Sequence, residues 1–142
     1  MTSGLQPYSP PNVASLAINH NLVNGQITLA PFGQITPAAG VTSFSLASFR
    51  FGCVEITETS AASVAEGCVV SVSGTYVGGG QVPEKTFAFA NTKLMQNSLL
   101  LAEFPAAVYT NLANITIAVA TSAIAVSSTG IYIDNLVHCN YS

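Results

Sequence analysis

The chain has 142 residues, of which 49% are hydrophobic and only 6% charged, and its net charge is −3. This composition is too apolar for a disordered polymer and predicts one compact domain. The three basic residues, Arg50, Lys85 and Lys93, are too few to neutralise a phosphate backbone or to hold an anionic bilayer surface, so we expect neither nucleic acid nor a membrane as a partner.

Alternation of apolar and polar residues with a period of two dominates the chain and predicts β-strands. Gly, Pro and Ser clusters separate the runs, and helical patterns are confined to a turn or two at 92–100 and at 106–112. About eight short strands at this spacing predict an all-β, single-domain antiparallel β-sandwich, or jelly roll. In chain order the predicted strands are 13–21, 26–32, 41–51, 68–77, 85–90, 99–104, 114–119 and 131–137.

A proline-rich segment precedes the first of these strands. Residues 1–12 predict an extended lead-in, and residues 13–142 predict the sandwich domain. Within the third predicted strand the apolar positions change parity at Ala47–Ser48. Because a shift of one residue moves side chains to the other face of a sheet, we expect a bulge or a bend there.

The fourth predicted strand alternates without interruption. Val70, Val72 and Tyr76 share one face, and Ser and Thr residues occupy the other. Three glycines at 78–80 then end the run and predict a wide hairpin loop into the next strand. Tyr76 therefore lies beside the loop, and also on the face that we expect to point inward.

The low charge indicates an extracellular protein. Cytosolic domains carry about a quarter charged residues, whereas here Ser, Thr, Asn and Gln supply the polar surface. Two N-x-S/T sequons begin at Asn114 and Asn140, and Asn114 is the candidate glycosylation site.

Neither a signal peptide nor a membrane span is predicted. The first residues lack a basic region followed by an apolar core, which predicts a mature segment. The stretch between Glu103 and Asp134 is uncharged, but Pro, Asn and Gly interrupt it and Thr and Ser are mixed into it. It therefore lacks the run of about 20 apolar residues that a bilayer requires.

The three cysteines divide into a pair and a single residue. Cys53 and Cys68 flank a short connection between two predicted strands, and an extracellular composition favours a disulfide that staples these neighbouring strands. Closing a loop of about 15 residues stabilises a fold by about 3 kcal/mol in the chain-entropy model. Cys139 is left as a buried thiol, which we favour, or as a partner for a cysteine in a missing segment or in another chain.

Three short motifs resemble known proteins. They are the run Phe49-Arg50-Phe51-Gly52-Cys53, the segment 61–74 around Gly67-Cys68, and the ending Ile131-Tyr132-Ile133-Asp134-Asn135-Leu136. Together they resemble small secreted fungal proteins of unassigned function, over about residues 43–137. The ending also resembles the last strand of carbohydrate-binding modules with a jelly-roll fold, which implies that fold here.

This resemblance also raises the question of a metal at Asp134, the single aspartate of the chain. In calcium-bearing jelly rolls of this kind, the matching aspartate ligates a structural ion together with backbone carbonyls and an acidic group near the first strand. The resemblance thus implies a structural calcium ion, but no acidic residue precedes Glu55 to supply the second ligand. The alternative is that Asp134 accepts backbone N–H bonds or caps a turn. No other cofactor is expected.

A glycan-binding site usually offers aromatic faces on which sugar rings stack. The chain has no Trp, and five tyrosines are available. Tyr76, beside the glycine loop, and Tyr132 are the candidate ligand-binding residues. The alternative for Tyr76 is an inward-pointing core side chain.

No catalytic residue is predicted. Cys139 could form a thiolate–imidazolium pair with His20 or His138, but no motif supports it, and adjacent strand residues point to opposite faces. Glu55 and Glu58 lie three apart, so in a strand they diverge, unlike the paired carboxylates of a glycosidase.

The leading interpretation is a secreted, non-catalytic β-sandwich that acts through its surface by binding a glycan or a cell-wall polymer. A second is a fungal effector or elicitor recognised by a plant host. A third is a small enzyme that holds an apolar substrate inside the sandwich and works by shape and a few hydrogen bonds. A weakly charged sheet edge also permits self-association.

Overall fold

The computed structural model describes residues 5–6, 14–16, 18–23, 26–55, 64–93 and 96–142. Within these ranges the chain folds into strands and tight turns, together with one 3₁₀ turn at Val126–Ser128. In this part of the chain no helix is long and apolar enough to cross a membrane. The strands are β1 (Leu5–Gln6), β2 (Ala14–Leu16), β3 (Ile18–Val23), β4 (Gln26–Ile35), β5 (Ser43–Glu55), β6 (Ala65–Glu66), β7 (Cys68–Tyr76), β8 (Gln81–Phe89), β9 (Asn97–Ser98), β10 (Leu100–Glu103), β11 (Leu112–Ser122) and β12 (Thr129–Tyr141).

The strands form two antiparallel layers, which confirms the predicted all-β sandwich. One layer has the order β2-β12-β5, and β10 and β6 pair one after the other along the far edge of β5. The other has the order β3-β4-β11-β7-β8. The layers are joined where Leu112 of β11 pairs with Phe44 of β5.

The segment 92–100, predicted to hold a turn of helix, contains the short strand β9 instead. β9 pairs in parallel with β1. The side chain of Asn97 explains the difference, because its Oδ1 accepts hydrogen bonds from the backbone N–H groups of Thr92 (2.9 Å) and Lys93 (3.1 Å). These amides are therefore satisfied without a helix.

Two other local predictions agree with the structure. The backbone N–H groups of Val108 and Tyr109 both donate to the carbonyl of Pro105, and they form one turn at the start of 106–112, where a turn or two was predicted. The β5–β12 register skips Ala47 between the pairs Val137–Ser48 and His138–Leu46, so β5 has a bulge where its apolar residues change parity.

Part of the predicted lead-in packs against the sandwich. Leu5 is buried, and its side chain lies against Gly52 of β5, where an added Cβ would come within 2.9 Å of it. The prolines between residues 7 and 11 lie outside the described residues. The absence of a side chain at Gly52 thus makes room for Leu5 on the outer face of β5.

Aromatic side chains fill the space between the layers. Phe51 of β5 lies 6.2 Å from the ring of Phe87 of β8, and Phe104 lies 5.4 Å from Phe49 and 5.3 Å from Phe87. Such offset and edge-on pairs contribute about 0.5–1.5 kcal/mol each beyond their buried area. The half-buried ammonium of Lys85 lies 5.3 Å from the ring of Phe87 and donates to the carbonyl of Glu103 at 2.8 Å.

Cys53 and Cys68 form the predicted disulfide. The bond does not connect neighbouring strands, however, because β5 and β7 belong to different layers. Cys53 pairs with Ile131 in one layer and Cys68 pairs with Phe89 in the other. The disulfide bond therefore crosses the interior and connects the two layers. A disulfide of this kind is typical of proteins that fold in oxidising compartments.

Candidate ligand-binding cleft

Tyr76, the first of the predicted ligand residues, lies at the end of β7. Its side chain is half-buried and packs against the core. The hydroxyl group donates a hydrogen bond to the carbonyl of Val108 at 3.1 Å. Both observations favour the inward-pointing role over stacking against a ligand.

Tyr132, the second, is also half-buried but belongs to the other layer. It lies between Ile131 and Ile133, which are buried in the core. Because successive strand residues point to opposite faces, Tyr132 lies on the outer face of its sheet, opposite Gly52 of β5. The structure therefore does not bring Tyr76 and Tyr132 together into one aromatic platform.

A cleft of about 390 Å³ opens between the layers, on the side where β12 faces β4. Its walls are aliphatic. Ile35 of β4 and Ile117 of β11 supply one wall, and Ile133 and Leu136 of β12 supply the other. The cleft is partly open to solvent, and its volume lies in the range of small-molecule binding sites, about 300–1,000 Å³.

Three polar residues belong to the lining of this cleft. Gln34 of β4 is exposed, and its Nε2 lies 3.5 Å from the hydroxyl of Thr116. Asp134 is 9% exposed, and Asn135 next to it is exposed. Gln34 pairs with Thr116, and Asp134 pairs with Arg50, so strand alternation places both side chains on the outer faces of their sheets. The cleft therefore combines aliphatic walls with the amide of Asn135, which can bond to a ligand hydroxyl group.

A bulge in β12 explains how Asn135 comes to the cleft. The β5–β12 register shifts between Asp134 and Val137, so that β12 holds one extra residue there. Asn135 has a φ of 51°, a left-handed conformation that Asn adopts more readily than most residues. Its backbone N–H donates to Oδ1 of Asp134 at 2.6 Å. This bond is the backbone contact predicted as one alternative for Asp134.

The surroundings of Asp134 bear on the calcium ion implied by the resemblance. The residue facing it in the β5–β12 register is Arg50, a cation. Among the described residues, no three His, Cys, Asp or Glu side chains are grouped closely enough to hold an ion. Calcium requires six to eight oxygen ligands, so a structural calcium ion at Asp134 stays a prediction.

Asn114, the predicted glycosylation site, lies near the start of β11 and is half-buried. Its Nδ2, the atom to which a glycan is attached, donates to the hydroxyl of Thr75 at 2.7 Å. A glycan would take the place of one of the two hydrogens on Nδ2 and would have to fit beside Thr75. Asn140, the first residue of the other sequon, is exposed.

Sequence reasoning missed Glu66, which is 7% exposed. Among the described residues no donor meets the geometry of a full hydrogen bond to either of its carboxyl oxygens, although the hydroxyls of Thr129 and Ser122 lie close enough to act on its pKa. The nearby hydroxyls of Thr129 and Ser122 bond to each other at 2.7 Å. Burial raises the pKa of Glu66, the two hydroxyls partly offset this effect, and the negative charge of Glu55 adds to it. Glu66 of β6 pairs with Cys53 of β5, so its side chain points inward like that of Cys53. The sequence does not reveal this pairing.

The residues considered for catalysis whose side chains the structure describes do not come together as a site. His138 and Cys139 are neighbours on β12, and both are exposed. The prediction of a buried thiol at Cys139 is wrong, because the described residues do not cover the end of β12. The side chains of His20 and Glu58 lie outside the described residues, and Glu55 is half-buried at the end of β5.

The cleft at β4 and β12 is thus the site that the geometry favours, and it contains Asp134 but neither candidate tyrosine. Gln34 and Asn135 were not predicted. A polar Asp-Asn pair inside an apolar run was the signal for Asn135, whereas Gln34 reaches the cleft only through the pairing of β4 with β11. No family model matches the chain, and comparison with curated proteins and with solved structures also found no match.

Proposed function

We propose that this protein is a secreted, non-catalytic binding domain that takes a segment of a glycan or cell-wall polymer into the cleft between β4 and β12. The observation that carries the proposal is the combination of aliphatic walls with the exposed amide side chain of Asn135. A sugar ring has apolar C–H faces and a rim of hydroxyl groups. The faces can pack on the isoleucines while a hydroxyl bonds to the amide of Asn135.

Two observations that indicate an extracellular compartment support the same proposal. The Cys53–Cys68 bond belongs to an oxidising environment, and only 6% of the residues are charged. The resemblance of the chain's ending to jelly-roll carbohydrate-binding modules points in the same direction. Secretion and a jelly-roll connection of the two layers are parts of this proposal.

Titration calorimetry with soluble oligosaccharides of cellulose, xylan, chitin and β-glucan tests the proposal. The variant Asn135→Gly removes the side chain at the cleft, and glycine tolerates the left-handed φ. We expect it to lose about 1 kcal/mol of binding, or about fivefold in affinity. Asn111→Gly is the matched control, because Asn111 is also exposed with a positive φ, 54°, and does not line the cleft.

Binding that both variants weaken equally would place the glycan elsewhere. If none of the oligosaccharides binds, the cleft proposal fails. A response of leaf tissue to the infiltrated protein would then favour the effector or elicitor function. Conversion of a ligand to product, followed by mass spectrometry, would favour the small-enzyme function.

A further inference from the structure

The second half of β12 extends beyond the strand that pairs with its first half. Residues 131–133 pair with β5 on one side and with β2 on the other. Residues 137–141 pair with β5, and no second strand within the described ranges lies along their other edge. Every residue from 135 to 141 is exposed. We call residues 137–141 the β12 edge.

The β12 edge lacks the features that usually prevent sheet edges from pairing. Natural proteins place charged residues, especially Lys, or Pro on such strands. Residues 135–142 contain no Lys, Arg, Asp, Glu or Pro. Val137 is 44% exposed and Tyr141 is 48% exposed, so a strand that pairs here gains apolar contacts and meets no charged side chain.

The sequence of this edge is complementary to itself. When two copies pair in antiparallel fashion about a two-fold axis at Cys139, Val137 faces Tyr141 of the second copy. His138 then faces Asn140, and Cys139 faces its own counterpart. An apolar residue thus meets an aromatic one, a polar residue meets a polar one, and a thiol meets a thiol.

We propose that two copies of this chain associate through the β12 edge and that their Cys139 side chains then form an intermolecular disulfide. The backbone is oriented for this arrangement. The carbonyl of Tyr141 accepts a hydrogen bond from the N–H of Thr42, on the β5 side, at 2.8 Å. Because carbonyls alternate in direction along a strand, those of His138 and Asn140 point to the open edge and can pair with the second copy.

In this register Cys139 occupies a non-hydrogen-bonded position between the copies. Opposed Cα atoms in antiparallel pairs lie about 4.5 to 5.5 Å apart, and disulfides require about 4.4 to 6.8 Å. Cys139 is exposed and free in the monomer.

When the S–S bond forms, each thiol gives up one proton and one electron. A low-molecular-weight disulfide such as oxidised glutathione takes up both protons and both electrons and leaves as two thiols.

A pair of single-thiol variants tests the register. One carries Cys139→Ser with Val137→Cys, and the other carries Cys139→Ser with Tyr141→Cys; both retain the Cys53–Cys68 bond. Positions 137 and 141 face each other across the axis, whereas two copies of position 137 are offset by four residues, about 13 Å. That distance exceeds the limit of about 7 Å for a disulfide.

The two variants are mixed with oxidised glutathione and the products are weighed by intact mass spectrometry. We expect the mixed dimer to form and each variant alone to remain monomeric. A statistical mixture of all three dimers, or adducts with glutathione alone, would overturn the proposal.

The parent protein gives a second readout. Its covalent dimer should form under the same conditions and should be lost in Val137→Lys, whose fold is checked by circular dichroism. Val77→Lys is the matched control, because Val77 is 47% exposed but lies in the loop after β7. A dimer that survives Val137→Lys but not Val77→Lys would contradict the assignment of the edge. Neither experiment involves a glycan, so their outcomes are independent of the cleft.

Discussion

Cys53 and Cys68 join the two layers of the sandwich, with their Cα atoms 6.2 Å apart. Their bond closes a loop of 15 residues, so replacing both by Ala in a Cys139→Ser background should cost about 3 kcal/mol of unfolding free energy. Urea denaturation of the monomer measures the loss. Cys139→Ser alone keeps the bond and serves as the reference. Equal midpoints for the two proteins would show that the bond does not stabilise the fold.

Glu66 predicts a dependence of stability on pH. Because its pKa is raised in the folded protein, its contribution is complete below the ordinary Glu value of 4.5 and is lost as the pH rises through the folded pKa. We expect the melting temperature to fall as Glu66 ionises, and Glu66→Gln to reduce that fall.

Thermal melts of parent and variant between about pH 4 and about pH 8 check this expectation. Glu84→Gln is the control, because Glu84 is an exposed carboxyl on β8. Parallel curves for the parent and Glu66→Gln would contradict the assignment.

Gly74 of β7 lies where a side chain cannot fit. An added Cβ would overlap the carbonyl oxygen of Asn114 on the paired strand β11 and would come within 2.8 Å of Ile115. The backbone there is fixed by the ladder, so Gly74→Ala should destabilise the fold by about 1–3 kcal/mol. Gly78→Ala adds the same methyl group in open space and should leave the urea midpoint nearly unchanged. If both variants behave alike, the close approach of β7 and β11 is not required.

Tyr109 is buried, and its hydroxyl donates to the carbonyl of Pro83 at 2.8 Å. Tyr109→Phe leaves that carbonyl without its partner and should cost about 1 kcal/mol. Tyr141→Phe, on an exposed side chain, is the control in the same urea experiment.

An alkaline titration detects the buried hydroxyl of Tyr109 directly. Burial raises the pKa of Tyr109, and the nearby Tyr76 and Glu84 add to the effect. An alkaline absorbance titration should therefore show a late-ionising tyrosine in the parent that is missing in Tyr109→Phe. The same late step in both proteins would assign it to another tyrosine.

Much of the strand pattern could be predicted because alternation is a local property. The run predicted at 68–77 is β7 (Cys68–Tyr76), and the glycines after it form the expected hairpin loop to β8. The short strands could not be predicted in this way. β9 exists only because Leu5–Gln6 returns from the start of the chain to pair with it, and no local pattern reports such a distant partner.

The residues of the cleft also divide into those that a local pattern indicates and those that depend on distant pairing. Asp134 stood out as a carboxylate in an apolar strand, and the structure confirms that it lies at a special position of the backbone. Gln34 and Thr116, which meet beside the cleft, are 82 positions apart in the chain. Their proximity depends on the order of strands in a layer, which residue types alone do not determine. The tyrosines were chosen for their chemistry, and the two layers separate them.

The position of Lys85 has a practical consequence for chemical labelling. Its ammonium is engaged between the ring of Phe87 and the carbonyl of Glu103, whereas Lys93 is exposed and lines neither the cleft nor the β12 edge. Among lysine side chains, an amine-reactive biotin reagent should therefore attach mainly at Lys93. Protein captured on a sensor chip by that biotin would present the cleft and the β12 edge to the flowing solution.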